Sequence, residues 1–148
     1  MNPKLLIVTD LGLLKAYKVE QTPEGTPRLE RLEEVVLEEA HHRLVEQLPD
    51  MAGRHVAPTQ IKWGAPVADD HNLKLEIKRR LIRHIARHIQ RLLQRDHFDG
   101  IWLAAHKEID HEIVEELPPA IRARIEKNLP RDLVKAEPRE LLERFQAT

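Results

Sequence analysis

The sequence contains neither cysteine nor serine. The first absence removes disulfides, thiolate nucleophiles and thiolate metal sites together. The second removes serine nucleophiles. Aromatic residues are scarce: Tyr17, Trp63, Phe98, Trp102 and Phe145 are the only five in 148 residues, so a core has to be built mostly from aliphatic side chains. There is no Walker A sequence and no G-x-G-x-x-G, which argues against P-loop and dinucleotide-binding enzymes. No stretch approaches 18 apolar residues, so no membrane span is expected. The opening MNPKLLIVTD has too short an apolar run for a signal peptide, and no small-residue cleavage site follows it. A cytoplasmic protein is the default expectation.

What is present suits a globular α/β chain. At 41% apolar and 33% charged residues, one domain spanning residues 1–148 has enough material for a sizeable core. The formal net charge of −1 hides a segregation. Glu20 to Asp50 carries nine acids against Arg28, Arg31 and Arg43, and residues 96–148 carry twelve acids against eight bases. Lys74 to Arg95 carries eight bases against the single acid Glu76. The molecule is therefore expected to have one basic face between acidic flanks.

That basic stretch, His71 to His97, reads as a long helix. Ile77, Leu81, Ile85, Ile89 and Leu93 recur every four positions, Ile82 and Leu92 join them, and all fall on one half of the helix. Arg79, Arg80, Arg83, Arg87 and Arg91 fall on the other half. No Pro or Gly interrupts the run, which gives a rod of about 40 Å. A solvated helix face usually mixes both signs of charge so that residues one turn apart can pair. A stripe of arginine almost without acid repels itself and suits an anionic partner.

Around this helix the chain reads as strands and shorter helices. Leu5–Thr9 is a buried strand, and Leu13–Glu20 follows Gly12 as its hairpin partner. QTPEGTP is turn chemistry. Leu29–Leu37 fits helix or strand; a strand is favoured, giving way to helix or irregular chain through His42. Pro49–Asp70 reads as a long loop with Asp69 and Asp70 as N-caps for the helix. Beyond it, Ile101–Ala105 is a strand, Lys107–Leu117 and Ala120–Leu129 are helices, Asp132–Ala136 is a short strand and Pro138–Phe145 a final helix. The result is α/β with a mixed sheet and flanking helices.

Three constellations bear on chemistry. His84 and His88 stand one turn apart, but Ile85 occupies the place where a zincin has glutamate, and no third ligand joins them; neither a metal nor another cofactor is expected. Interfacial histidines that extend the basic surface at low pH are the competing reading. His106, Lys107, Asp110 and His111 follow a strand end, where they either cap the next helix or serve a hydrolase. Trp63 sits in the loop among Arg54 and Lys62, where it stacks on a nucleobase or anchors the loop in the core.

The LIVTDLGLLKAYKVE opening with Asp10 at the end of strand one, the long basic helix, FDGIWLAA, and the ending AIRARIEKNLPRDLVKAEPRELLERF resemble the bacterial host attachment protein family over essentially the whole chain. That family is similar in turn to the middle domain of archaeal and eukaryotic class-1 peptide chain release factors. The resemblance implies a ribonuclease-H-like fold and engagement with ribosomal RNA. In those factors a Gly-Gly-Gln loop precedes the Arg-rich helix. The corresponding segment here holds Gly53, Gln60 and Gly64 without that motif, so no catalytic residue is carried over. The expectation is a non-enzymatic module contacting RNA or the ribosome through Arg79, Arg80, Arg83, Arg87 and Arg91, with Arg54, Lys62 and Trp63. The alternatives are an interaction subunit whose basic helix meets an acidic protein or a second copy, and a hydrolase built on His106–His111.

Overall fold

The computed structural model of the chain describes residues 3–37 and 67–147, with backbone alone at 67–71. Strands β1 (Lys4–Thr9), β2 (Leu13–Gln21), β3 (Pro27–Val36), β4 (Gly100–Ala105) and β5 (Ile125–Leu129) form one sheet in the order β3-β2-β1-β4-β5. β2 is antiparallel to β1 and β3, whereas β1, β4 and β5 are parallel neighbours. Helices α1 (Val67–Arg95), α2 (Asp110–Glu116), α3 (Pro119–Arg122) and α4 (Pro138–Gln146) complete the described residues.

β1 and β4 lie at the centre of the sheet and are covered on both faces, which is why KLLIVT and GIWLAA read as nearly unbroken apolar runs. Leu5, Ile7, Leu103 and Ala105 face α1 and α2; Leu6, Val8, Trp102 and Ala104 face the other way, toward α4. Between β1 and β2 the Asp10 carboxylate accepts hydrogen bonds from the amides of Gly12 and Leu13, both at 2.7 Å, a side-chain-closed turn. Between β2 and β3, Gly25 sits at φ +87°, a conformation only glycine adopts without strain.

The amphipathic pattern of α1 is realised, with Leu93 alone of the predicted stripe only partly buried. Ile77, Leu81, Ile82, Ile85, Ala86, Ile89 and Leu92 are buried in one cluster with Leu5, Ile7, Leu14, Ala16 and Leu103. Each large aliphatic so buried contributes about 1.5–3 kcal/mol, which dwarfs any single surface contact of the helix. On the opposite face Trp102 and Phe145 stack at 5.6 Å between ring centroids. Lys127 bridges that pair, its Nζ 4.6 Å above the Trp102 ring and donating to the Phe145 carbonyl at 2.7 Å. Trp102 is thereby part of the core on this side of the sheet.

Four expectations are corrected. The long helix starts at Val67, so Val67–Asp70 is its first turn, and Asp69 and Asp70 lie inside that turn near the positive end of the helix dipole. Ala120–Leu129 is not a helix: after the single turn α3 the chain extends into β5, and Asp132–Ala136, expected as a strand, is irregular although Leu133 and Val134 are buried. Side chains explain the switch. Arg122 donates to the carbonyls of Val114, Glu115 and Leu117, tying α3 back on α2. Arg124 donates to the Phe98 carbonyl and Asn128 to that of Leu103, which favours strand pairing over the helix propensity of AIRARIEK. Finally, α2 begins at Asp110 rather than Lys107. The stretch open to helix or strand resolves as β3, while its continuation through His42 and the loop expected from Pro49 lie, up to residue 66, outside the described residues.

Ile85 is fully buried at the centre of the α1 stripe. Ile85→Asp would place an unpaired carboxylate among aliphatics at a cost on the order of several kcal/mol, enough to unfold a domain of ordinary stability. Circular dichroism is expected to show loss of the cooperative melt; a variant that melts like the parent would contradict this packing.

Candidate functional site

With its apolar stripe fixed on the sheet, α1 turns Arg79, Arg80, Arg83, Arg87 and Arg91 to solvent, as the periodicity requires. The stripe is not as uncompensated as the sequence suggests. Arg80 pairs with Glu76 one turn back at 3.2 Å, and α2 lays two glutamates beside the helix, with Lys78 at 3.6 Å from Glu112 and Arg83 at 3.7 Å from Glu116. Arg91 donates to the His88 ring. Arg79 and Arg87 make no ion pair or hydrogen bond among the described residues. The compensating acids were missed in the sequence, although Glu112 and Glu116 are spaced one helical turn apart as a matching row would be.

The inner edge of the same helix holds a contact that no periodicity reveals. The β2–β3 register shifts between Ala16, opposite Glu33, and Tyr17, opposite Arg31, so Leu32 is an extra residue, a β-bulge. The bulge lets Leu32 and Glu33 both reach the α1 side: Leu32 packs against the core there, and Glu33 Oε2 comes within 2.9 Å of His88 Nε2. The approach is close but not aligned as a hydrogen bond. Arg95 adds a positive charge 3.7 Å from the same oxygen. Because arginine only donates, His88 Nδ1, 3.1 Å from Arg91 Nη2, must accept, which leaves the ring proton on Nε2 facing Glu33. Of this buried ring Nδ1 is thus engaged, while Nε2 faces the Glu33 carboxylate without an aligned hydrogen bond. His84 is held below its ordinary value by burial first, then by repulsion from His88, Arg91 and Arg87. It therefore adds positive charge to the face only under more acid conditions than a free histidine does. No group of three or more metal-ligating side chains occurs among the described residues.

The cluster after β4 does not converge. His106 Nδ1 accepts from the Glu108 amide at 3.1 Å, and exposed His111 lies 3.5 Å from Glu115. Asp110 is buried and accepts at 2.7 Å from Asn128, which also donates to Leu103 O; the pair joins the start of α2 to β5. This is a capping and stapling arrangement, not a set of groups around one reacting atom. Arg54, Lys62 and Trp63 lie outside the described residues.

A mixed five-stranded α/β sheet with one arginine-faced helix, and no membrane-crossing helix among the described residues, defines the class of protein. The chain matches the family described as protein required for attachment to host cells over residues 5–145, and it belongs to that family. Among curated proteins no match is found.

Burial pushes the Asp110 carboxyl above its ordinary value, with the Asn128 hydrogen bond and His111 pulling it back down. A carboxyl raised in the folded state gives its full stability below the ordinary carboxylate value, and that stability is lost as pH rises through the raised folded value. Asp110→Asn keeps an oxygen for Asn128 and removes the ionisation. Its melting temperature relative to the parent is expected to rise as pH increases from the ordinary carboxylate value through the raised one. A difference independent of pH would show that Asp110 does not titrate abnormally.

Proposed function

We propose that this chain is a non-enzymatic binding module that engages RNA, free or in the ribosome, through the outward face of α1. The observation that carries this is the row of arginines on a helix whose rotation is fixed by its buried stripe, with Arg79 and Arg87 unpaired among the described residues. Arg80 and Arg83 are held in exposed pairs, each worth about 0–1 kcal/mol, which a phosphate displaces at little cost. Guanidinium groups meet phosphate oxygens in a fixed fork, and residues one helical turn apart suit successive phosphates. The sheet order, with β2 running against the other four strands, supports a ribonuclease-H-like sheet of the release-factor middle-domain type. A cytoplasmic address accords with such a partner.

A second reading takes the family's description at its word and assigns the same face to a protein partner in attachment. It is favoured by Lys78–Glu112 and Arg83–Glu116, which show the helix already accepting glutamates from a neighbouring helix. An acidic helix of another protein would repeat that geometry, and the acidic stretch Glu20–Asp50 of a second copy would supply the same sign of charge.

Arg79→Glu combined with Arg87→Glu reverses two exposed charges and leaves the buried stripe alone. Unchanged melting is expected, with RNA affinity at physiological salt lowered by roughly tenfold or more and a shallower dependence of affinity on salt. Parent protein without RNA affinity at that salt would overturn the first reading. Loss of a protein complex in the variant would then support the second.

A further inference from the structure

His88 is buried at the inner edge of α1, between the sheet and the outward arginines. Its Nε2 lies 2.9 Å from Glu33 Oε2 of β3, and neither atom has an aligned hydrogen bond. Its Nδ1 accepts from Arg91 Nη2 at 3.1 Å. Arg91 is an exposed residue of the basic stripe, and this contact turns its guanidinium back onto the helix.

The contact depends on the charge of the ring. Arginine donates and never accepts, so the contact exists only while Nδ1 carries no proton. A proton arriving at Nδ1 makes it a donor and sets two cations against each other, so the hydrogen bond is lost. Nε2–H meanwhile keeps the Glu33 carboxylate before it. Histidine is the side chain whose charge ordinarily changes between about pH 5 and pH 8. The charges around the ring act in both directions. Glu33 favours the cation, whereas Arg91, Arg95 at 3.7 Å from the same carboxylate, and His84 one turn back oppose it. β2 presents uncharged Leu14 and Ala16 to this side of α1. Further along the same faces of β2 and β3, Lys18 stands opposite Glu30 and pairs with Glu20 at 3.7 Å. Arg91, which touches the ring directly, is exposed and has solvent to swing into.

We propose that His88 is a proton switch on the arginine face: neutral, it holds Arg91 against the helix; protonated, it releases Arg91 to join Arg79, Arg83 and Arg87. The release stands on its own geometry, and its effect on RNA rests on the function proposed above. RNA that takes Arg91 removes a cation from beside His88, so the bound protein holds the proton more firmly. By reciprocity the proton tightens binding.

Nitrogen NMR of the free protein tests the release. As His88 Nδ1 gains its proton, the Arg91 Nη signals are expected to change in the same pH step to those of a freely rotating guanidinium. In His88→Gln, which cannot ionise, no such step is expected. Arg91 signals that do not follow His88 would overturn the switch, whatever RNA does. Affinity tests the consequence. Between about pH 7.5 and about pH 5.5 the parent is expected to gain RNA affinity by about threefold or more beyond the gain of Arg91→Ala, an exposed change. Its salt dependence is expected to steepen by about one phosphate contact over the same range. His84→Gln, which removes the neighbouring charge gained in acid, is expected to keep both effects. Equal gains in the parent and Arg91→Ala would overturn the link between the switch and binding. Parent protein that binds no RNA at either pH would refute the proposed function, and the NMR step would then decide the switch alone.

Discussion

The structure depends on the contact between the aliphatic stripe of α1 and the sheet face made by Leu5, Ile7, Leu14, Ala16 and Leu103. With so few aromatics, branched and straight aliphatics have to fill this interface, and a helix of 29 residues, about 43 Å long, supplies them in register. Burying that stripe fixes the helix's rotation about its own axis. Once it is fixed, every residue half a turn away faces solvent, and those residues are arginines. The basic surface is therefore a consequence of core packing, and a change in the core reaches it through the helix as a rigid body.

A second constraint acts at the margin of the first. The bulge in β3 sends Glu33 under the helix, where His88 and Arg95 meet it and Arg91 holds the far side of the His88 ring. A carboxylate so placed ties the edge of the sheet to the helix with a close polar contact at one fixed position, whereas the aliphatic stripe alone tolerates sliding. On the outer side, the glutamates of α2 neutralise part of the stripe. These pairs are solvent-exposed and individually weak, so they lower self-repulsion within the helix without blocking a stronger anion.

Much of this was legible in the sequence, for physical reasons that differ by element. The four-residue repeat from Ile77 to Leu93 is a local signal carried entirely within one helix, so both its buried and its basic faces could be read. The central strands announced themselves as unbroken apolar runs because both their faces are covered. β5 did not, because IEKNL alternates only partly and lies at an edge, and what makes it a strand is pairing with β4 together with side-chain bonds from Arg124 and Asn128 to distant carbonyls. Glu33 was hidden for the same reason: its role follows from a register shift between strands, which local composition does not record. The histidines after β4 could be located but not interpreted, since their separation is set by backbone capping and by the Asp110–Asn128 bond.

The fold thus presents two opposite helical surfaces, the arginine face of α1 and the exterior of α4, separated by the sheet. If RNA is the partner, only the first should touch it. A photo-reactive amino acid placed at position 87, and as a control at the exposed position 143 on α4, reads this directly after irradiation with RNA at physiological salt. RNA cross-linked from position 87 and not from position 143 is the predicted result. Cross-linking from 143 alone, or equally from both, would contradict recognition by the arginine face.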